Sequence, residues 1–487
     1  MTAHGDRVLM FAVRPPVVLK YLGQVLLVFA ALSCVPLAAA LVLGKSAFAL
    51  RLGILVAVTL VLSLPLSRLP TPRQIQWNEA LCVTALAFLL TPLAMSAVLA
   101  ADGIPLLDAW FEAVSGVTTT GLSTLGTVDG LSPLFLFTRA WTQWYGGLGI
   151  AVLSVALIMR HHASSPRLLE SSGETATAET AGTHARRVFA VYLALTLAGV
   201  LLVWALQGDL FVAATHTLTA VSTGGFAVFD DSLAEMSVAP RAAVTLLCLL
   251  GAVSLPLYYH ARRDGFPVLL RDPELRALVV ALLAVSGAVG LLLHLEGGLS
   301  WGAALGHGLL LGASDQTTAG FRSLDVATLA PATQLILIFA MFTGGCSGST
   351  AGGVKLVRVL VLLRLTQLAL RRTAAPARAV LRSHLGGERL EQDVIANALL
   401  LMGLWVLVVT VSWFPFLLYG YDPLRSLFEV VSATSTVGLS TGITGPGLEA
   451  PLKVLLGLDM LFGRVEIVAL LVVLYPPTWL GRRRRNQ

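Results

Sequence analysis

The chain has 487 residues, of which 56% are hydrophobic and only 12% are charged, with a net charge of +6. An average soluble domain has roughly 45 to 50% apolar and about 25% charged residues. This balance excludes a soluble globular protein, and the abundance of aliphatic residues excludes a disordered one. The four cysteines lie apart in apolar stretches, which indicates neither a disulfide framework nor a zinc site.

Ten apolar runs are long enough to cross a bilayer, because a spanning helix needs about 20 apolar residues. They lie near residues 18–43, 47–66, 77–100, 132–159, 187–206, 239–259, 275–295, 332–363, 394–418 and 451–475. The first run is too long for a removable signal peptide and is interpreted as an anchor helix. We therefore predict an all-α polytopic membrane protein with ten transmembrane helices.

Charge alternates between the connections that join these runs. The basic connections include Arg68 and Arg73, Arg186 and Arg187, Arg262 and Arg263, the series from Arg364 to Arg389, and Arg482 to Arg485. The opposite connections are acidic, with Asp102, Asp129, Asp230 and Glu296. Because basic loops stay in the cytoplasm, both termini are predicted to be cytoplasmic. The long basic connections at 160–187 and 364–393 are either solvated loops beside the headgroups or docking surfaces for a cytosolic partner.

Four segments between the runs are too short to span and end in the pattern [ST]-T-x-G-[LF]. The strings are TTTGL at 118–122, STGGF at 222–226, TTAGF at 317–321 and STVGL at 435–439. The aligned glycines recur roughly every hundred residues, which is the length of two spans and a shorter segment. Six residues before each glycine stands a hydroxyl, at Ser115, Thr219, Ser314 and Ser432. The chain is therefore predicted to form four pseudo-fourfold helix, pore-loop, helix repeats around a central pore.

The composition of these strings points to a cation pathway. Irregular backbone at membrane depth must line protein or a watery cavity. Glycine lets successive carbonyls face one point, and a carbonyl ring can replace the hydration shell of a monovalent cation. We predict K⁺ as the permeant ion and no bound cofactor. The predicted ion-binding filter comprises Thr119, Thr120, Gly121, Thr223, Gly224, Gly225, Thr318, Ala319, Gly320, Thr436, Val437 and Gly438.

Three further strings extend the pattern: QWYGGLGIAVL at 143–153, GGCSGSTAGGVKLVR at 344–358 and GRVEI at 463–467. With them, nearly the whole chain resembles the Trk/Ktr/HKT superfamily of potassium transporters, and is most like the TrkH/TrkG membrane subunits of bacterial Trk uptake systems. The resemblance implies a potassium channel or symporter of the inner membrane, not an enzyme. It also implies a homodimer with one pore per subunit, regulated by a cytosolic TrkA-type nucleotide-binding subunit.

The glycine cluster within the run at 332–363 should break a helix there. The resemblance implies an intramembrane gate loop below the filter. Its residues are Gly344, Gly345, Cys346, Ser347, Gly348, Ser349, Thr350, Ala351, Gly352 and Gly353. A small-residue packing face is the alternative, whereas a phosphate-binding P-loop is excluded because Val354 stands where its lysine belongs.

Arg464 lies about midway along the last run, where a charge is costly unless it faces a partner or a wet cavity. The resemblance makes it a pore arginine that pairs with gate-loop oxygens; a structural salt bridge is the alternative. Glu112 and Glu429 are expected to tie their pore helices to neighbouring spans rather than to bind the ion.

Three other residues carry expectations about their orientation. Arg322 directly follows the third string and would repel a cation, so we expect it to turn away toward Asp325 or Asp315. His216 and His307 lie in predicted pore helices, where a structural hydrogen bond is expected rather than a ligand role.

The predicted organisation has five parts. They are an N-terminal helix pair at 1–75, repeat one at 76–165, repeat two with its cytoplasmic loop at 166–265, repeat three with the gate loop at 266–375, and repeat four with a basic C-terminus at 376–487. Two alternatives to potassium uptake remain open: the ion-conducting subunit of a potassium-pumping ATPase, and a less selective K⁺/Na⁺ transporter. An intramembrane enzyme is excluded because the spans lack paired Asp, a Ser beside a base or metal-spaced His.

Overall fold

The computed structural model describes residues 12–72, 75–163, 181–376 and 384–480. It is mostly helical and divides into two compact units, Met1–Gly103 with Val465–Gln487, and Ile104–Arg464. Most of the predicted loop at 160–187 and the basic residues Arg482 to Arg485 lie outside the described residues.

The helices follow one another with short connections. They are α1 (Pro15–Val42), α2 (Ser46–Ser67), α3 (Trp77–Leu99), α4 (Leu106–Val117), α5 (Pro133–Ala163), α6 (Ala181–Gln207), α7 (Leu210–Val221), α8 (Val238–Ala252), α9 (Leu255–Asp264), α10 (Pro267–Arg271), α11 (Pro273–Leu295), α12 (Trp301–Gln316), α13 (Pro331–Thr343), α14 (Leu356–Ala374), α15 (Gln392–Leu418), α16 (Pro423–Thr434), α17 (Ala450–Arg464), α18 (Ile467–Leu474) and α19 (Pro476–Trp479). A two-stranded antiparallel ribbon, β1 (His384–Leu385) and β2 (Glu388–Arg389), precedes α15.

Six of the described helices are long and apolar enough to cross a membrane, namely α1, α2, α3, α6, α11 and α15. The pair α8 and α9 meets the same criteria as one span bent by 84°. The expectation of one unbroken helix is wrong for the runs at 239–259 and 451–475. The first breaks before Pro256, whose ring disfavours a helical conformation in the preceding residue. The second breaks at Glu466, which has a φ of +58°.

In the first unit, a buried carboxylate joins the start of α1 to the start of α3. Glu79 has no solvent exposure, and its Oε1 accepts hydrogen bonds from Nε of Arg14 at 2.7 Å and from its backbone N–H at 3.0 Å. Glu79 Oε2 accepts from the backbone N–H of Gln76 at 2.8 Å, which caps α3. These bonds offset the cost of burying the carboxylate.

In the second unit, four short helices, α4, α7, α12 and α16, each lead into one of the glycine strings. Each packs against the helix that follows its own string: α4 on α5, α7 on α8, α12 on α13 and α16 on α17. Each also packs against the corresponding helix of another repeat: α7 on α5, α12 on α8, α16 on α13 and α4 on α17. The contacts between repeats therefore form a closed cycle that brings the four strings together.

Candidate functional site

All four short helices end in the same turn. A threonine in the left-handed region follows the last helical residues, at Thr119, Thr223, Thr318 and Thr436, with φ between +51° and +57°. The aligned glycine follows two residues later, at Gly121, Gly225, Gly320 and Gly438, with φ between +72° and +96°. A β-branched residue at positive φ is a rare, strained conformation. Its occurrence at four matching positions marks these turns as a functional site.

Backbone hydrogen bonds fix the residue between each threonine and glycine. Its N–H donates to the carbonyl five residues back, at 2.8 to 2.9 Å, in Thr120, Gly224, Ala319 and Val437. Two of the predicted hydroxyls then hold the glycines: Ser115 Oγ accepts from Gly121 N–H and Ser432 Oγ accepts from Gly438 N–H, both at 3.0 Å. Thr219 instead donates back into its own helix.

The aligned glycines connect the four loops in a ring. An ideal Cβ on any of them would lie far closer than 3.0 Å to a carbonyl oxygen of the next loop, so no side chain fits there. The pairs are Gly121 with Gly224 O, Gly225 with Ala319 O, Gly320 with Val437 O, and Gly438 with Thr120 O. The predicted filter residues are therefore neighbours in space, and loop four closes on loop one.

Exposure along these loops follows the same fourfold pattern. Every predicted filter residue is buried except the four aligned glycines, which are partly exposed. Each loop also follows the C-terminal end of a helix, where the macrodipole places about half a negative charge. The ring thus presents backbone oxygen and partial negative charge around a narrow opening without a carboxylate, an arrangement that can dehydrate a monovalent cation.

The glycine cluster breaks its helix as predicted, since α13 ends at Thr343 and α14 begins at Leu356. The intervening loop lies directly against three of the four turns. Gly352 N–H donates to Thr318 Oγ1 at 2.6 Å, Gly353 N–H donates to Ser435 O at 3.0 Å, and Thr350 Oγ1 donates to Val221 O at 3.0 Å. Most of this loop is buried.

Side chains outside the loop hold its other positions. Gln316 Nε2 donates to Gly344 O at 2.7 Å, Ser347 N–H donates to Glu274 Oε2 at 2.6 Å, and Cys346 N–H donates to Ala252 O at 3.0 Å. Lys355 Nζ donates to Ala351 O, and Ser349 Oγ donates to Cys346 O at 2.6 Å. The loop is therefore an ordered part of the unit.

Arg464 points at this loop. Its side chain is 3% exposed, and Nη1 donates to Thr350 O at 2.8 Å. Its Nε and Nη2 have no hydrogen-bond partner among the described residues. A guanidinium with unused donors next to the ring carries a buried positive charge toward the space below it.

The two pore-helix glutamates hold the segments that leave the ring. Glu112 Oε1 accepts from Ser123 Oγ at 2.6 Å, and Oε2 lies 2.8 Å from Nη2 of Arg139 in α5. This matches the expectation that Glu112 ties its helix to a neighbouring span. Glu429 corrects it, because its hydrogen bonds run to its own loop, from Ser440 Oγ at 2.8 Å and from Thr441 N–H at 2.6 Å.

Arg322 turns away from the ring, but neither Asp325 nor Asp315 receives it. Its Nη2 donates to Asp230 O at 2.9 Å. The expected acidic partner was wrong because the loop after the second string lies against the third, which sequence distance hides. The Asp230 carboxylate accepts from Thr127 Oγ1 at 2.6 Å. Burial raises the pKa of Asp230, but this hydrogen bond, two backbone N–H groups and nearby Arg322 lower it further, so the pKa lies below its ordinary value.

Both histidines make structural hydrogen bonds, as expected. His216 Nδ1 is 2.9 Å from Val212 O, and His307 Nδ1 is 2.8 Å from Ser323 Oγ. Within the described residues no group of three His, Cys, Asp or Glu could hold a metal ion.

Sequence reasoning missed glycines that let the following helices approach the pore-helix ends. An ideal Cβ on Gly146 or Gly463 would overlap the carbonyl oxygen of Val117 or Thr434, respectively. Gly146 belongs to the string QWYGG and Gly463 to GRVEI. The signal was therefore present, as glycine inside an apolar run, but its physical reason required the structure.

Comparison with known proteins agrees with this architecture. A family model described as TrkH, cation transport protein, matches residues 82–476. The Trk system potassium uptake protein TrkH of Vibrio parahaemolyticus is 32% identical over 400 residues, covering 77% of this chain and 80% of that protein. TrkI of Halomonas elongata is 30% identical over 480 residues, covering 95% and 96%.

The fold gives the same assignment. The crystal structure of the potassium transporter TrkH from Vibrio parahaemolyticus superimposes with a TM-score of 0.85 and 27% identity, covering 96% of this chain and all of that one. An uncharacterised cation transporter of Methanocaldococcus jannaschii is 28% identical, covering 84% of each chain. The chain therefore belongs to the TrkH family, whose members are cation transport proteins and not enzymes.

Proposed function

We propose that this chain conducts K⁺ into the cell through the ring formed by its four glycine loops. The observation that carries the proposal is the closed cycle in which each aligned glycine packs on a carbonyl of the next loop. Such a ring gives a dehydrated monovalent cation neutral oxygens from four directions. The relatives named as Trk potassium uptake proteins support K⁺ as the ion.

The filter of this proposal comprises the threonine, the following residue and the aligned glycine of each loop. The carbonyls of Thr120, Gly224, Ala319 and Val437 are its best-defined oxygens because each lies against the glycine of a neighbouring loop. The four helix C-termini add negative potential, which favours a cation over an anion.

The gate of this proposal is the loop Gly344–Gly353 together with Arg464. The loop makes hydrogen bonds to Thr318 and Ser435, so in this conformation it stands against the ends of the filter turns. Arg464 adds a positive charge at the same place, held by Thr350 O. Both features oppose cation passage, so conduction requires the loop to move.

The assembly of this proposal is a homodimer in the bacterial cytoplasmic membrane with both termini in the cytoplasm. A cytosolic nucleotide-binding subunit of the TrkA type regulates it. The titles of the relatives, which name a Trk system, support a system of several components. The basic connections that flank the spans support the orientation.

The test is flux into liposomes that contain only the purified chain, with gradients of K⁺, Rb⁺, Na⁺ and Li⁺. We expect saturable uptake with K⁺ and Rb⁺ ahead of Na⁺ and Li⁺. A closed gate would reduce all fluxes, so Arg464→Ala is measured in parallel. Silence in both proteins would refute autonomous conduction and favour the subunit of a potassium-pumping ATPase.

A less selective K⁺/Na⁺ transporter is the second candidate. It is favoured by the single aligned glycine of each loop, because this chain has fewer carbonyl layers than a TVGYG filter. Equal saturable uptake of Na⁺ and K⁺ in the same liposomes would establish it. A Na⁺ or H⁺ gradient that drives K⁺ uptake would identify a symporter.

A further inference from the structure

The second loop differs from the other three at the residue before the aligned glycine. That residue is Thr120, Ala319 or Val437 in the other loops and Gly224 in this one. Its N–H makes the same hydrogen bond in all four, at 2.8 to 2.9 Å. Gly224 is not among the glycines with positive φ. The backbone conformation therefore does not require glycine at position 224.

The space around Gly224 does require it. An ideal Cβ there would lie 2.5 Å from Cδ and Oε1 of Gln143 and 2.8 Å from its Nε2. Gln143 lies in α5 of the first repeat and has no solvent exposure. Its carboxamide thus occupies the place that a side chain takes behind the other loops.

The carboxamide also holds the loop on both sides of Gly225. Gln143 Nε2 donates to Gly224 O at 2.5 Å, and Phe226 N–H donates to Gln143 Oε1 at 3.1 Å. The Phe226 donor fixes which end of the amide faces which group, because only the oxygen can accept. In the described part of the chain, Gly224 O alone among the four ring carbonyls accepts a hydrogen bond.

We infer that Gln143 is a positioning residue that fixes the Gly224 carbonyl in the ring and thereby sets the preference for K⁺ over Na⁺. The inference rests on the proposed function of the ring. A carbonyl held by an amide donor cannot move inward to follow a smaller ion, and it has one fewer lone pair for the ion. Loop two is then the rigid and weakly coordinating member of the ring.

The first test removes the two hydrogen bonds while keeping most of the volume. We expect Gln143→Leu to lower the K⁺/Na⁺ flux ratio about tenfold in liposomes, the factor typical of losing a buried hydrogen-bonding partner. The ratio is the decisive readout, because a purely structural role would change total flux and thermal stability but leave the ratio intact. An unchanged ratio in Gln143→Leu overturns the inference.

A double-mutant cycle tests the pairing with Gly224 itself. Gly224→Ala pushes a methyl into the carboxamide, so we expect the ratio to fall about tenfold in the wild-type background. The three atoms nearest to that methyl all belong to Gln143. In the Gln143→Ala background the same change should therefore alter the ratio less than about twofold. An equal fall in both backgrounds would overturn the pairing.

The matched control lies in loop four, which the ring places opposite loop two. Val437→Ala changes the same position of its loop, and its effect should add to that of Gln143→Ala within about twofold. The wild-type protein is measured first. Absence of a K⁺ preference there would refute the proposed function, and with it this inference, whereas a K⁺ preference that all four variants retain would refute the inference alone.

Discussion

Gly438 offers the sharpest perturbation of the proposed filter, through Gly438→Ser. An ideal Cβ at this position overlaps Thr120 O and lies 2.9 Å from Cα and C of Gly121. Ordinary contact distances require the two loops to separate by about 1 Å. Moving half a charge from about 3 to about 4 Å from an ion, at an effective dielectric constant near 20, costs about 0.7 kcal/mol. We therefore expect the K⁺/Na⁺ preference to fall about threefold for each displaced carbonyl.

The assay is competition between ⁸⁶Rb⁺ and unlabelled K⁺ or Na⁺ for uptake into liposomes. The matched control is Gly442→Ser, because Gly442 lies in the same loop with a φ of +91°, close to the +96° of Gly438, but its Cβ would meet nothing within 4 Å. Both variants carry the strain of serine at positive φ, and only one disturbs the ring. Wild-type preference in Gly438→Ser, or an equal loss in Gly442→Ser, would refute the reasoning.

Three further predictions concern the gate, the first unit and the outer loops. Arg464→Ala should raise K⁺ flux at least about tenfold because a charged hydrogen bond to Thr350 O is lost; unchanged flux in this variant and in one with a shortened Gly344–Gly353 would refute the gate. Glu79→Ala should destabilise the first unit by about 3 kcal/mol in detergent unfolding, since it leaves Arg14 unpaired, and a loss below about 1 kcal/mol would contradict this. The lowered pKa of Asp230 means that its stabilising bonds persist above the unfolded value of about 3.9 and are lost as pH falls through the folded value. Asp230→Asn should remove that acid-side loss from thermal unfolding curves, and an identical acid profile would count against it.

The repeated strings were predictable from sequence because they recur in register. Glycine at Gly121, Gly225, Gly320 and Gly438 indicated positions without room for a side chain, and the structure gives the reason as a carbonyl of the adjacent loop. The helix break at the glycine cluster was predictable as well, because five glycines outweigh the apolar character of the run.

Contacts between repeats were not predictable from one sequence. The bond from Arg322 to Asp230 joins residues 92 positions apart, and that from Gln143 to Gly224 spans 81 positions. Nothing local marks either pair. The break at Glu466 was also missed, because hydropathy reports how apolar a run is and not whether its backbone is continuous.

Thr350 explains why the proposed gate should open as a unit. Its Oγ1 donates to Val221 O, at the end of a pore helix, and its carbonyl accepts from Arg464. Movement of the loop must break these bonds together with those from Gly352 and Gly353. At about 1 kcal/mol for each neutral bond and about 2 for the charged one, the closed state is favoured by about 5 kcal/mol before any compensation. Shifting such an equilibrium requires a ligand with a preference of about 10⁴-fold for the open state, which the membrane chain alone does not supply and a regulatory subunit can.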